Sequence, residues 1–201
     1  MGLTGTVAAG KSTVGRLFEK WGAARIDADR LARDAVAPGT PGLARIVEAW
    51  GDAVLDPDGR LDRAAMRCIA FDDATARTRL EKIVHVEVRR LRDIWREESR
   101  AAGAEVLVEE IPLLFETGME DAYDAIVVVD APRDQRRLRA TASRGWSADE
   151  FDAIDSSQLP AEEKRARADH VIVNDRDGKY LERRARAVWD LLAGPASGGQ
   201  D

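Results

Sequence analysis

Residues 5–12 read Gly5-Thr6-Val7-Ala8-Ala9-Gly10-Lys11-Ser12, which fits G-x-x-x-x-G-K-[ST]. They run directly into Val14, Leu17, Phe18 and Trp21 at i, i+3, i+4 and i+7. A glycine-containing turn that empties into a helix start constrains a fold strongly. Backbone N–H groups converge there on anionic oxygen, the helix N-terminus adds partial positive charge, and glycine permits the tight turn and close approach. Gly5, Thr6, Val7, Ala8, Ala9, Gly10, Lys11, Ser12 and Thr13 therefore form the candidate nucleotide-binding set. Lys11 is placed to bridge the β- and γ-phosphates, and Ser12 to ligate Mg²⁺. Only Met1 to Thr4 precede the first glycine of the loop, an unusually short launching strand that suggests a clipped start.

Short β-branched runs at Val106-Leu107-Val108, Ile126-Val127-Val128-Val129 and Val171-Ile172-Val173 predict strands buried on both faces. Between them the period becomes helical. Leu43, Ile46, Val47 and Trp50 make one apolar stripe, Leu80, Ile83, Val84, Val88, Leu91 and Trp95 a longer one, and Leu181, Ala185, Val188, Trp189 and Leu192 the last. The tryptophans at these spacings read as core anchors. Strand–loop–helix alternation implies an α/β fold, a parallel sheet wound by helices, in which ligands bind beyond the carboxyl ends of the strands. One domain over 1–192 is expected, with a core at 1–29, 104–132 and 168–192. A helical insert at 30–103 and a helical lid at about 133–167 complete it, and a flexible Gly/Pro/Ser tail follows at 193–201.

The 31 basic and 37 acidic residues leave a net charge of −6, so no global field favours nucleic acid or an anionic membrane. No apolar run approaches the roughly 20 residues that span a bilayer, and a cytoplasmic location is expected. Two histidines and one cysteine make no zinc cluster, so any metal is Mg²⁺ arriving with the nucleotide. Cys68 reads as a small buried thiol in a helix. Nothing in the sequence specifies an oligomeric state.

Asp27 and Asp29 stand about 15 residues past the loop, at the end of a short apolar run. A general base or a ligand to metal-bound water would face the γ-phosphate from such a position. The alternative for Asp29 is an N-cap on the helix starting at Arg30, which accounts for one aspartate and not both. Glu110, just before Ile111-Pro112, is the first choice for an acid that orders Mg²⁺ through water, with Glu109 the alternative. Arginines are dense at 133, 136, 137, 139, 144, 165 and 167, and most read as a solvated helix face. A lid closing over triphosphate needs only one or two of them. Arg144 is the first choice for a catalytic arginine and Arg139 the second. His85, taken alone on a helix, reads as a hydrogen-bonded core residue.

Gly-Leu-Thr-Gly at 2–5, the loop itself, Asp27-Ala28-Asp29 with Leu31-Ala32-Arg33, Pro38-Gly39-Thr40-Pro41, Leu61-Asp62-Arg63, His85, Pro112-Leu113-Leu114-Phe115-Glu116, Gln158, Lys164, Ala168-Asp169 and Asn174 occur in that order. Together, over about residues 2–190, they resemble the dephospho-CoA kinase family. The resemblance implies ATP- and Mg²⁺-dependent phosphorylation of the ribose 3′-hydroxyl of dephospho-CoA, a small-molecule substrate, as the last step of coenzyme A synthesis. It implies that Asp29 orients or deprotonates that hydroxyl, and that Asp27, Arg33, His85, Arg89, Pro112, Leu113, Leu114 and Glu116 belong to the acceptor side. It also implies that Asn174 lies beside the adenine. The chain departs from the family's pattern at Leu138 and at Ala153-Ile154-Asp155, where arginines are usual, at Val86 in place of proline, and at Thr6 in place of glycine. The competing readings are another small-molecule or nucleotide kinase with the same loop, and a nucleotide-binding relative that has lost catalysis.

Overall fold

The computed structural model describes residues 1–194, so 195–201 of the expected tail lie outside the described residues. Five parallel strands form one sheet: β1 (Gly2–Gly5), β2 (Ala24–Asp27), β3 (Leu107–Glu110), β4 (Ile126–Asp130) and β5 (His170–Val173), in the order β2-β3-β1-β4-β5. All five residues of β4 are buried, as a strand covered on both faces requires. Because every pairing is parallel, the loops after all five strands leave from one edge, and the phosphate loop is among them.

The helices are α1 (Lys11–Lys20), α2 (Ala28–Asp34), α3 (Pro41–Trp50), α4 (Arg63–Asp72), α5 (Ala74–Ala101), α6 (Arg133–Arg144), α7 (Ala148–Ser156), α8 (Ala161–Ala166) and α9 (Gly178–Leu192). The chain divides into two compact units, Met1–Asp27 with everything from Gly103 onward, and Ala28–Ala102.

In the first unit α1 and α9 close over the sheet. Leu3, Val14, Phe18, Val108, Val127, Val129, Ile172, Leu181 and Trp189 form the core. Phe18 and Trp189 have ring centroids 5.6 Å apart, and Trp21 stands 6.2 Å from each. Tilted pairs at these distances each add about 0.5–1.5 kcal/mol beyond the area they bury. The amphipathic stripes thus become one aromatic seam.

The second unit is helical. Val36, Ile46, Val54 and Met66 make its core, with Trp50, Leu61, Leu80, Ile83 and Val84 packed against them. Its helices start on local signals: Thr40 caps α3 ahead of Pro41, Asp62 accepts from Ala64 N and Ala65 N to cap α4, and Asp73 caps α5. Cys68 lies on α4 but is exposed, contrary to the sequence reading. Met66 takes the inward position of that helix, and two residues further on the side chain has turned about 200° away.

Candidate active site

Two glycines of the phosphate loop occupy positions that no side chain could share. A Cβ on Gly5 (φ +143°) would stand 2.0 Å from Val129 O, and one on Gly10 (φ +107°) 2.4 Å from Asn174 Nδ2. Thr6 replaces the family's usual glycine without strain, because the left-handed non-glycine residue is Ala8, at φ +57°. Gly10 is the N-cap of α1 and offers no side chain to the first turn, so backbone N–H groups there are presented as an anion cradle. Lys11 is half-buried, and its Nζ donates to Gly5 O and Thr6 O, both at 3.0 Å.

This cradle forms one wall of a cavity of about 530 Å³. Lys11, Ser12, Thr13 and Arg16 line it on one side, and Arg139, Ser143 and Arg144 on the other. Arg139 donates through Nη2 to Gln135 Oε1 (3.1 Å) and Asn174 O (3.0 Å), while its Nη1 is buried with no hydrogen-bond partner. Burial pulls its guanidinium below its ordinary pKa. A partly buried guanidinium with one unmet donor on this wall is the complement of a polyphosphate. Arg144 ends α6, is exposed, and stacks 4.9 Å from the Trp146 ring. The sequence ranked Arg144 above Arg139; burial and the unmet donor distinguish Arg139 instead.

Two other arginines of α6, Arg133 and Arg136, make structural contacts. Arg133 reaches Asp152 and Asp155, and Arg136, which is buried, pairs with Asp155 and donates to Ala131 O. Asp155 is one of the departures from the family pattern, and these two arginines surround it. Val7, Ala140 and Phe151 pack as a small core that joins the phosphate loop to α6 and α7.

Asn174 is buried, and its Nδ2 donates to Ala9 O at 2.8 Å, so it braces the loop from beneath. Glu110 is also buried, and its Oε2 lies 3.0 Å from Arg25 Nη1. This ion pair fastens β2 to β3 and holds the carboxylate expected to order Mg²⁺ through water. Glu109 points to the other face of the strand, where it accepts from Tyr123 OH at 2.6 Å. Asp27 ends β2, in register with Glu110, and is half-buried.

The Pro112–Glu116 turn follows β3. Leu113 is 43% exposed and Leu114 is fully buried, so of the two only Leu113 can touch a ligand. Glu116 Oε1 takes the Lys164 ammonium at 2.7 Å and the Leu159 N–H at 2.9 Å. Burial pushes this carboxyl up, but the Lys164 hydrogen bond, the Leu159 N–H and the Lys164 charge outweigh it and hold the pKa below 4.5. A lowered folded pKa contributes stability that is fully present above the unfolded value and is lost as pH falls through the folded one. Urea midpoints should therefore drop on acidification below pH 4.5, and Glu116→Gln should flatten that part of the profile. An unchanged profile in the variant would remove Glu116 from the acid response. Lys164 is fully buried; from sequence it stands only in the family pattern, since its charged neighbours Glu162, Glu163 and Arg165 give no sign of burial.

In the second unit Asp29 lies inside the first turn of α2, which begins at Ala28, so it is not the cap residue. It is exposed, as is Arg33 near the end of that helix. His85 and Arg89 are exposed one turn apart on α5, which overturns the reading of His85 as a core residue. Between them Glu87 is buried and bound by Arg90 Nη2 at 2.5 Å.

For a magnesium nucleotide the donor set fits. Ser12 supplies one oxygen, and no group of three or more His, Cys, Asp or Glu side chains among the described residues could hold a metal. Mg²⁺ characteristically takes one or two protein ligands and completes its shell with phosphate oxygens and water. No helix of the described residues is long and apolar enough to cross a membrane.

A family model described as dephospho-CoA kinase matches residues 1–179. The curated dephospho-CoA kinase of Geobacter sulfurreducens is 44% identical over 189 residues, which is 94% of this chain and 96% of that protein. The one of Anaeromyxobacter dehalogenans is 46% identical over 198 residues, 96% of this chain and 92% of that protein. Among solved structures, TT1252 from Thermus thermophilus has a TM-score of 0.81 at 38% identity, covering 96% of this chain and 97% of that one. The dephospho-CoA kinase from Campylobacter jejuni has a TM-score of 0.69 at 23% identity, covering 96% of each, a likeness of fold.

Proposed function

This chain belongs to the dephospho-CoA kinase family, and from that premise we propose that it transfers the γ-phosphoryl group of ATP to the ribose 3′-hydroxyl of dephospho-CoA, giving coenzyme A and ADP. The observation that carries this reading is the cavity in which Lys11 and Ser12 at the start of α1 meet the buried, unpartnered Nη1 of Arg139.

Phosphoryl transfer asks a protein mainly for positioning and for stabilisation of charge on the transferring group. Lys11 moves from the loop carbonyls to the β- and γ-phosphates, and Arg139 meets phosphate or base from the opposite wall. Asn174 holds the loop from below and lies on the adenine side. Mg²⁺ bound with the nucleotide would neutralise developing charge; Ser12 would be its protein ligand, and Asp27 or the buried Glu110 would order its water. Asp29 orients the acceptor hydroxyl and receives its proton. Arg33, His85 and Arg89 are acceptor-side residues of the second unit; in the first unit Pro112 and Leu113 serve the acceptor, while Leu114 and Glu116 set the shape of their turn. The 133–167 segment acts as the lid, and its Arg144 turns from Trp146 towards the transferring group.

Arg144→Ala should lower kcat by about tenfold or more with dephospho-CoA affinity nearly intact, because a lid arginine acts on the transition state more than on the bound acceptor. An unchanged kcat would transfer the role to Arg139. The reaction itself is tested by incubating the protein with ATP, Mg²⁺ and dephospho-CoA and weighing the product. Gain of one phosphoryl group is expected, and no gain would overturn the proposal.

A further inference from the structure

One short turn between α7 and α8 holds two different loops. Gln158 Oε1 accepts from Val7 N in the phosphate loop at 2.8 Å. The next residue, Leu159, donates its N–H to Glu116 Oε1 at 2.9 Å. Glu116 also takes the fully buried Lys164, whose Nζ donates back to Pro112 O at 3.3 Å, so both ends of the 112–116 turn are tied to α8. On the other arm Arg136 Nη1 donates to Val7 O at 3.4 Å, and Arg136 is itself paired with Asp155 of α7. Both polar groups of the Val7 backbone are thus held from outside the loop, beside Ala8, which adopts the left-handed conformation that an alanine enters only at a cost.

We propose that Gln158-Leu159 is a two-armed clamp that sets the phosphate loop and the 112–116 turn in one register, with Gln158 as a positioning residue for phosphoryl transfer. The inference rests on the proposed function for what the two loops hold. Donor and acceptor must be aligned closely for transfer, and two arms one residue apart make any displacement of the turn a displacement of both loops. Gln158 serves the loop without occupying the start of α1, where Lys11 and Ser12 stand, so the clamp is compatible with a bound nucleotide.

Hydrogen exchange of the ligand-free protein reads the clamp independently of any reaction. Gln158→Met keeps the length of the side chain and removes the acceptor, whereas Gln158→Glu keeps an acceptor. In the Met variant, exchange should rise about tenfold both in peptides covering 5–10 and in peptides covering 112–118, with the Glu variant close to wild type. Calorimetric ADP affinity should fall about tenfold in the Met variant and stay within about threefold in the Glu variant. Glu116→Gln approaches from the other arm and should loosen 5–10 as well as 112–118, which keeps the test decisive should the Met variant fold poorly. Loosening confined to the mutated arm in either variant would overturn the clamp. A wild-type protein that leaves dephospho-CoA unphosphorylated would sink the reaction assignment, while the exchange result would stand or fall on its own.

Discussion

Lys11→Ala should cut turnover at least about a hundredfold, the loss characteristic of removing a preorganised charge from the transferring group. The ammonium is held 3.0 Å from Gly5 O and Thr6 O, so it is already at the mouth of the loop, where phosphate oxygens can take the place of these neutral carbonyls. That exchange is favourable because charge-assisted hydrogen bonds are stronger than bonds to neutral oxygen. Its removal leaves Gly5 and Gly10, the two positions closed to any side chain, unaltered, so the loop should keep its shape. The melting temperature should shift by only a few degrees, and ADP should still bind, more weakly. A coupled ADP-release assay with saturating dephospho-CoA separates these effects. A near-normal kcat would mean that the loop binds nucleotide without taking part in the transfer.

What could be read from the sequence follows from what periodicity encodes. β3, β4 and β5 were legible because strands buried on both faces are spelled as β-branched runs, and the α/β class followed from their alternation with amphipathic stripes. The helix starts at Pro41, Arg63 and Ala74 were legible in principle from Thr40, Asp62 and Asp73, since a cap is a local signal. Pairings between distant residues were not. The contacts Arg25–Glu110, Val7–Gln158 and Asn174–Ala9 join residues 85, 151 and 165 positions apart, and periodicity names the face of an element without naming its partner. For this reason the sequence shows neither the Arg25 partner of Glu110 nor the burial of Lys164. Ordered motifs filled part of that gap: Gln158, Lys164 and Asp169 were quoted only as members of a family pattern. The structure gives each a physical task, the last through Ile126 N donating to Asp169 Oδ2 at 2.8 Å. The two lid arginines illustrate the same limit, since the feature that separates Arg139 from Arg144 is burial of one nitrogen.

Asp29→Asn should lower kcat by roughly 10²-fold or more, the range expected on losing a positioned proton acceptor, with ATP still bound. Asparagine keeps the size of the side chain, and Asp29 lies in the first turn of α2 as an exposed residue, where a carboxylate near a helix N-terminus contributes about 0.3–1 kcal/mol, so stability should change little. The structural role that competed for this residue, an N-cap, does not match a helix that begins at Ala28. Asp27→Asn provides the contrast. That side chain is half-buried at the end of β2. If it orders water on Mg²⁺, its loss weakens metal affinity more than it slows the transfer, and raising Mg²⁺ should recover part of the activity. The informative measurement is therefore kcat against Mg²⁺ concentration for both variants, with melting temperatures alongside. Recovery by Mg²⁺ in the Asp29 variant and none in the Asp27 variant would exchange the two roles. A lowered melting temperature with normal kcat in Asp29→Asn would return that residue to a structural part.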